Sequence, residues 1–140
     1  MRLKQYRWIL YLAVTGFGGG LLNLQLKSYF ARARPSLAEA LRQASGYSFP
    51  GGHAMGSFVV LGALGYLIAR GVKPWHWRSL GLAIISASIL AIAASRIYLG
   101  VHWISDIAAG LAAGALWLTA TTTAYETLRR VRRVRSSDRK

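Results

Sequence analysis

Lysine and arginine are confined to a few places in this sequence, and the stretches between them are almost wholly apolar. Arg2, Lys4 and Arg7 open the chain, Arg70, Lys73 and Arg78 crowd a short stretch in the middle, and seven basic residues follow from Arg129 onward. A soluble chain of 140 residues with a formal net charge of +14 would suggest a nucleic-acid binder. Such a binder spreads its basic residues over a folded surface, whereas a membrane protein restricts them to loops and ends. The placement therefore favours a bilayer over nucleic acid as the partner.

Spanning a bilayer as a helix takes about 20 apolar residues, with a range of about 17–25. Residues 8–26, 54–69, 79–94 and 103–125 meet or approach that length. A soluble domain would need polar faces that these segments lack. A secretory signal is a second reading of the first segment, with Ala31-Arg32-Ala33 as the cleavage site. The apolar stretch is long for a signal core, and Lys27 and Arg32 interrupt the approach to the site, so a retained helix is expected. The fold class is then an all-α integral membrane bundle of four transmembrane helices.

The basic residues also orient it. With a cytoplasmic amino terminus, the amino end, the 70–78 loop and the tail share one side, while Lys27, Arg32, Arg34, Arg42 and Arg96 lie on the other. Residues 27–53 and 95–102 then face outward together. Residues 1–128 form the membrane domain, and 129–140 a basic cytoplasmic tail drawn to anionic headgroups. Residues 35–49 are expected as an irregular outer loop, with a brief interfacial helix over 39–43. Gly110 and Gly114, four apart, allow close helix packing.

That outer side gathers Lys27, Arg34, His53, Ser95, Arg96, His102 and Asp106. His102 and Asp106 stand four apart, hence on one helix face, where a carboxylate orients an imidazole. Asp106 is an ionisable group inside apolar sequence, which marks a functional candidate. Lys27, Arg34 and Arg96 are three cations beside that single carboxylate, and a guanidinium fork suits phosphate oxygens. The run Pro50-Gly51-Gly52-His53 precedes an apolar segment, so its backbone N–H groups are placed to meet an anion at a helix start. Individually each has a plain reading, as flanking anchor, turn or interfacial histidine. His76, between two tryptophans, is taken as interfacial. The chain has no cysteine, so thiolate metal sites and disulfides are excluded.

Three ordered motifs carry a family resemblance: KSYFARARP from Lys27, PGGH from Pro50, and SRIYLGVHWISD from Ser95. In these the sequence resembles the type 2 phosphatidic acid phosphatases, a superfamily shared with acid phosphatases and vanadium haloperoxidases, over nearly the whole chain except its basic tail. The resemblance implies that His102 attacks phosphorus to form a phosphohistidine while Asp106 holds its ring. It implies that His53 protonates the leaving oxygen and then helps activate water. Lys27, Arg34, Ser95 and Arg96, with Gly51 and Gly52 of the PGGH run, would bind the phosphoryl oxygens. Neither metal nor other cofactor is implied. The expected substrate is a lipid phosphate or diphosphate such as undecaprenyl diphosphate, phosphatidylglycerol phosphate or phosphatidic acid. The expected location is a bacterial inner or plasma membrane, with both termini cytoplasmic and the site at the outer face.

Two departures stand out. Gly51 occupies the position where the family usually has Ser; losing a hydrogen bond to a charged oxygen costs about 1.5–3 kcal/mol, so reduced rather than abolished activity is expected. Members commonly have six helices, two of them before the segment that bears the lysine motif, so the four here match the third onward, as a minimal or a truncated form. The alternative to an enzyme is a non-catalytic lipid-phosphate binder. A haloperoxidase, soluble and larger, does not fit. Oligomeric state is not legible.

Overall fold

In the computed structural model of the chain, residues 2–34 and 45–137 are described; the expected interfacial helix over 39–43 lies outside them. Four helices run through the described residues: α1 (Arg2–Phe30), α2 (Gly52–Gly71), α3 (Trp75–Tyr98) and α4 (Ile104–Ser137). Each is long and apolar enough to cross a membrane, over Tyr6–Phe30, Gly52–Gly71, Trp75–Tyr98 and Ile104–Arg132. All exceed the apolar runs read from sequence. Apolarity marks only the part in hydrocarbon, while Lys, Arg and Gln are good helix formers that carry the same helix onward. The basic tail is accordingly no separate segment up to Ser137 but the end of α4.

The breaks have local causes. After α1, Ala31 takes a positive φ of 42°, with its N–H still bonded to the Lys27 carbonyl at 2.9 Å. Pro74 precedes α3, where its missing N–H is no loss. At the far end of α3, Gly100 adopts φ 68° and bonds back to the Ile97 carbonyl, which suits a glycine after a helix terminus. Asp106 caps α4 in the reverse sense: its Oδ2 accepts the backbone N–H of Trp103 at 2.9 Å, three residues earlier.

α2 is the hub, packed against each of the other three. Its Ala54, Met55, Val59 and Ala63 are buried, as are Ile85, Ile89 and Ala93 of α3. Gly110 and Gly114 of α4 face α2: a Cβ on Gly110 would lie 2.5 Å from the Gly51 carbonyl oxygen, and one on Gly114 3.1 Å from that of Met55. At Gly110 only glycine permits that approach and at Gly114 a side chain would crowd α2, so the GxxxG spacing serves packing within the chain. α1 and α4 are tied by Trp117 Nε1, which donates to the Thr15 carbonyl at 2.9 Å, and by a 2.8 Å bond between Tyr11 and Thr122 hydroxyls. Large apolar side chains such as Phe17, Ile84, Leu90 and Leu116 stay exposed, as they must in a protein whose solvent is lipid.

Candidate active site

Consecutive helices run in opposite directions, so the end of α1, the start of α2, the end of α3 and the start of α4 meet at one end of the bundle. A cavity of about 520 Å³ opens there, lined by Asn23 and Lys27 of α1, by Arg34 just beyond it, by Gly52, His53, Gly56 and Ser57 of α2, by Ile92 of α3, and by His102. Five of the residues singled out in the sequence thus meet: Lys27, Arg34, Gly52, His53 and His102.

His102 lies in the short link between α3 and α4 and is buried. Its Nδ1 is 3.4 Å from Asp106 Oδ2, and its Nε2 is 3.4 Å from Arg34 Nη1. A guanidinium only donates, so Nε2 is the accepting nitrogen and Nδ1 carries the proton toward Asp106. Burial pushes the His102 imidazole below its usual range. The Asp106 bond raises it, and the Arg34 and Lys27 cations lower it further. The ring is therefore neutral at pH 7, with a lone pair on the Nε2 nitrogen.

Asp106 is fully buried. Its carboxylate accepts from His102, from the Trp103 N–H, and from Arg32 Nη1 at 3.0 Å. Arg32 also donates to Ser105 Oγ at 2.8 Å and has its guanidinium carbon 5.6 Å from the centre of the Trp103 ring. The sequence reading treated Arg32 as a loop charge. Its signal was its place two residues before Arg34, which an arginine can use to reach a different target.

Lys27 and Arg34 are braced by backbone carbonyls. Lys27 Nζ donates to Tyr47 at 2.6 Å, and Arg34 to Ser45, Gly46 and Val101 at 2.9–3.1 Å. Ser48 fastens the same segment to the exit of α1, its hydroxyl donating to the Ala33 carbonyl at 2.9 Å. Nothing in the sequence marked Ser48. Asn23 was legible in principle: it stands one turn before Lys27, a carboxamide in an apolar run, and its Nδ2 bonds weakly to the Met55 sulfur at 3.4 Å.

Three residues expected to bind phosphate stand apart from the cavity wall. Gly51 is buried, its N–H donates to the Asp106 carbonyl at 2.8 Å, and a Cβ there would lie 2.9 Å from that oxygen. Glycine at 51 is thus what lets α2 dock on the first turn of α4, and a serine would push against backbone. The Ser95 hydroxyl donates to the Ile92 carbonyl of its own helix at 2.7 Å. Arg96 has a buried Nε with no hydrogen-bond partner among the described residues. α2 begins at Gly52, so its first N–H groups have no carbonyl within the helix to bond.

The described residues thus form a bundle of four helices long and apolar enough to cross a membrane, with a buried His–Asp pair beside a cavity lined by Lys27 and Arg34 at one end. The chain belongs to the PAP2 superfamily, whose model matches residues 7–130. It is 34% identical over 98 residues to phosphatidylglycerophosphatase B of Bacillus subtilis, an alignment covering 69% of this chain and 47% of that protein. To the undecaprenyl-diphosphatase of Sulfolobus acidocaldarius it is 33% identical over 88 residues, covering 63% and 38%. The crystal structure of a transmembrane PAP2 type phosphatidylglycerolphosphate phosphatase from B. subtilis superposes with a TM-score of 0.76 at 28% identity, over 84% of this chain and 59% of that one. The chain spans about half the length of the curated relatives it matches, or less.

Proposed function

We propose that this chain hydrolyses a lipid phosphate monoester or diphosphate by way of a phosphohistidine on His102. The observation that carries the reading is the pairing of a buried, neutral His102, proton held toward Asp106, with a cavity that Lys27 and Arg34 make cationic. In the first step Nε2 attacks phosphorus, the bond from phosphorus to the lipid oxygen breaks, and His53 gives that oxygen a proton. In the second step water attacks the phosphohistidine, His53 takes the water's proton, and inorganic phosphate leaves with His102 restored. Lys27, Arg34 and the first amides of α2 hold the phosphoryl oxygens throughout. The orphaned Nε of Arg96 is a further donor that an incoming anion could satisfy. Arg32 acts through Asp106: by holding Oδ1 it leaves Oδ2 to His102.

The names of the relatives support a phospholipid or polyprenyl substrate, because one acts on phosphatidylglycerophosphate and the other on undecaprenyl diphosphate. The distribution of lysine and arginine supports placing this end of the bundle at the non-cytoplasmic face, with both termini cytoplasmic. A substrate there keeps its tail in lipid while its headgroup reaches the cavity.

The test is phosphate release by the purified protein from a panel of lipid phosphates and diphosphates, with chelator present and His102→Ala alongside. Release that survives chelation and vanishes in the variant supports the reading. Binding of the lipids without release from any of them would overturn it in favour of a non-catalytic binder.

A further inference from the structure

A second cavity, of about 220 Å³, lies between α1 and α4 at the opposite end of the bundle. Its walls are apolar for most of their length, with Leu10, Val14, Ala124 and Leu128 among them, and its lining includes two cations, Arg7 and Arg132. These two sit where the membrane-spanning parts of α1 and α4 begin and end. The Arg7 guanidinium carbon is 5.9 Å from the centre of the Tyr125 ring. Among the described residues no carboxylate pairs with either arginine; Glu126, the nearby acid, is taken by Arg70 at 2.8 Å and by Arg129 and Tyr66.

We propose that this groove binds one anionic phospholipid, its headgroup phosphate between Arg7 and Arg132 and an acyl chain laid along the groove. The dimensions agree. From Arg7 to Thr15 is roughly 12 Å of helix and from Arg132 back to Thr121 roughly 16 Å, at ~1.5 Å per residue. One leaflet of hydrocarbon is about 15 Å deep, half of the ~30 Å core. The charge agrees too: a zwitterionic headgroup brings no net charge to two guanidiniums, while an anionic one brings a net negative charge. A helix from a second copy would have to bring carboxylates to this end, where the described acid, Glu126, is already paired. The site is separate from the His102 cavity and does not depend on the phosphatase reading.

The experiment is native mass spectrometry of the full chain released from bilayers holding equal amounts of dioleoyl phosphatidylserine and dioleoyl phosphatidylcholine. The wild type should retain one phosphatidylserine in clear preference. Each of Arg7→Gln and Arg132→Gln should lower that preference about fivefold, the equivalent of ~1 kcal/mol per basic residue near the surface. Ala124→Trp, which fills the groove without changing charge, should abolish retention, whereas Arg135→Gln, outside it, should leave retention intact. Equal loss on Arg135→Gln would mean diffuse attraction to the tail and would overturn the proposal. So would loss on Arg34→Gln, which would place the lipid in the His102 cavity, or a dimer that retains no lipid.

Discussion

Each end of the bundle sets a carboxylate among arginines, and the two arrangements do opposite things. At one end Glu126 accepts from Tyr66, Arg70 and Arg129, and the acid is matched by its neighbours with α2 and α4 clamped together. At the other, Asp106 is buried against Arg32 and His102, while among the described residues no carboxylate forms an ion pair with Lys27 or Arg34 beside it. A carboxylate saturated by guanidiniums is a fastener. One outnumbered by cations, with an imidazole interposed, leaves a net positive field and, on the proposed reading, a nucleophile in it.

The comparison breaks most sharply on His102. His102→Ala should lower phosphate release on the order of a thousandfold or more, as loss of a nucleophile does elsewhere, measured against wild type at saturating lipid. Arg32 comes next. Arg32→Gln should cut turnover by roughly tenfold to a hundredfold, the range for removing a partner that orients a reacting group, with Arg32→Lys recovering part of it. If Arg32→Gln leaves turnover unchanged, its bond to Asp106 is no more than a surface tie.

Gly51→Ser tests whether the missing hydroxyl or the close approach matters. Given the 2.9 Å separation between a Cβ and the Asp106 carbonyl, the serine should lower the midpoint of thermal unfolding and reduce turnover. Overpacking of this kind typically costs about 1–3 kcal/mol. A gain in turnover would instead vindicate the hydroxyl contact expected from the family pattern.

The pH profile sharpens the electrostatic half. In the proposed mechanism His102 must be neutral to attack, and burial with nearby cations holds its pKa down, so the acid limb should lie below the ordinary imidazole value of about 6.5. The groups facing it are Asp106 on the first turn of α4, Lys27 and Arg34 from the α1 side, and His53 from α2. Arg34→Gln removes one cation that depresses it, so the limb should move toward higher pH. The smallest effect belongs to Glu126→Gln, which should leave turnover within about twofold and cost about 1 kcal/mol of stability, the scale of a partly exposed ion pair.

Much of this was legible. Apolar length and charge placement gave four helices, because a bilayer admits few other solutions. The three motifs named Lys27, Arg34, His53, His102 and Asp106, whose chemistry is distinctive wherever it stands. What escaped notice depends on direction rather than type. Arg32 and Arg34 are the same residue two positions apart, and only the path of the chain after Ala31 decides that one reaches Asp106 and the other His102. Ser48 and Asn23 are ordinary until the 45–50 segment folds back onto α1. Gly51 carries its reason across the bundle, in the backbone of a helix over fifty residues later.

That last link sets an order on biosynthesis. The N–H of Gly51 is held by the carbonyl of Asp106, Arg32 bonds to Ser105 and Asp106, and Arg34 reaches Val101 and His102 as well as Ser45 and Gly46. A nascent chain that has inserted only α1 to α3 can therefore brace Lys27 on the carbonyls of Tyr47 and Ser48, but it lacks the His102–Asp106 pair and the carbonyl that holds Gly51. The fourth helix brings Asp106 and follows directly on His102, so a chain halted before residue 101 has most of the cavity wall and none of the His–Asp pair.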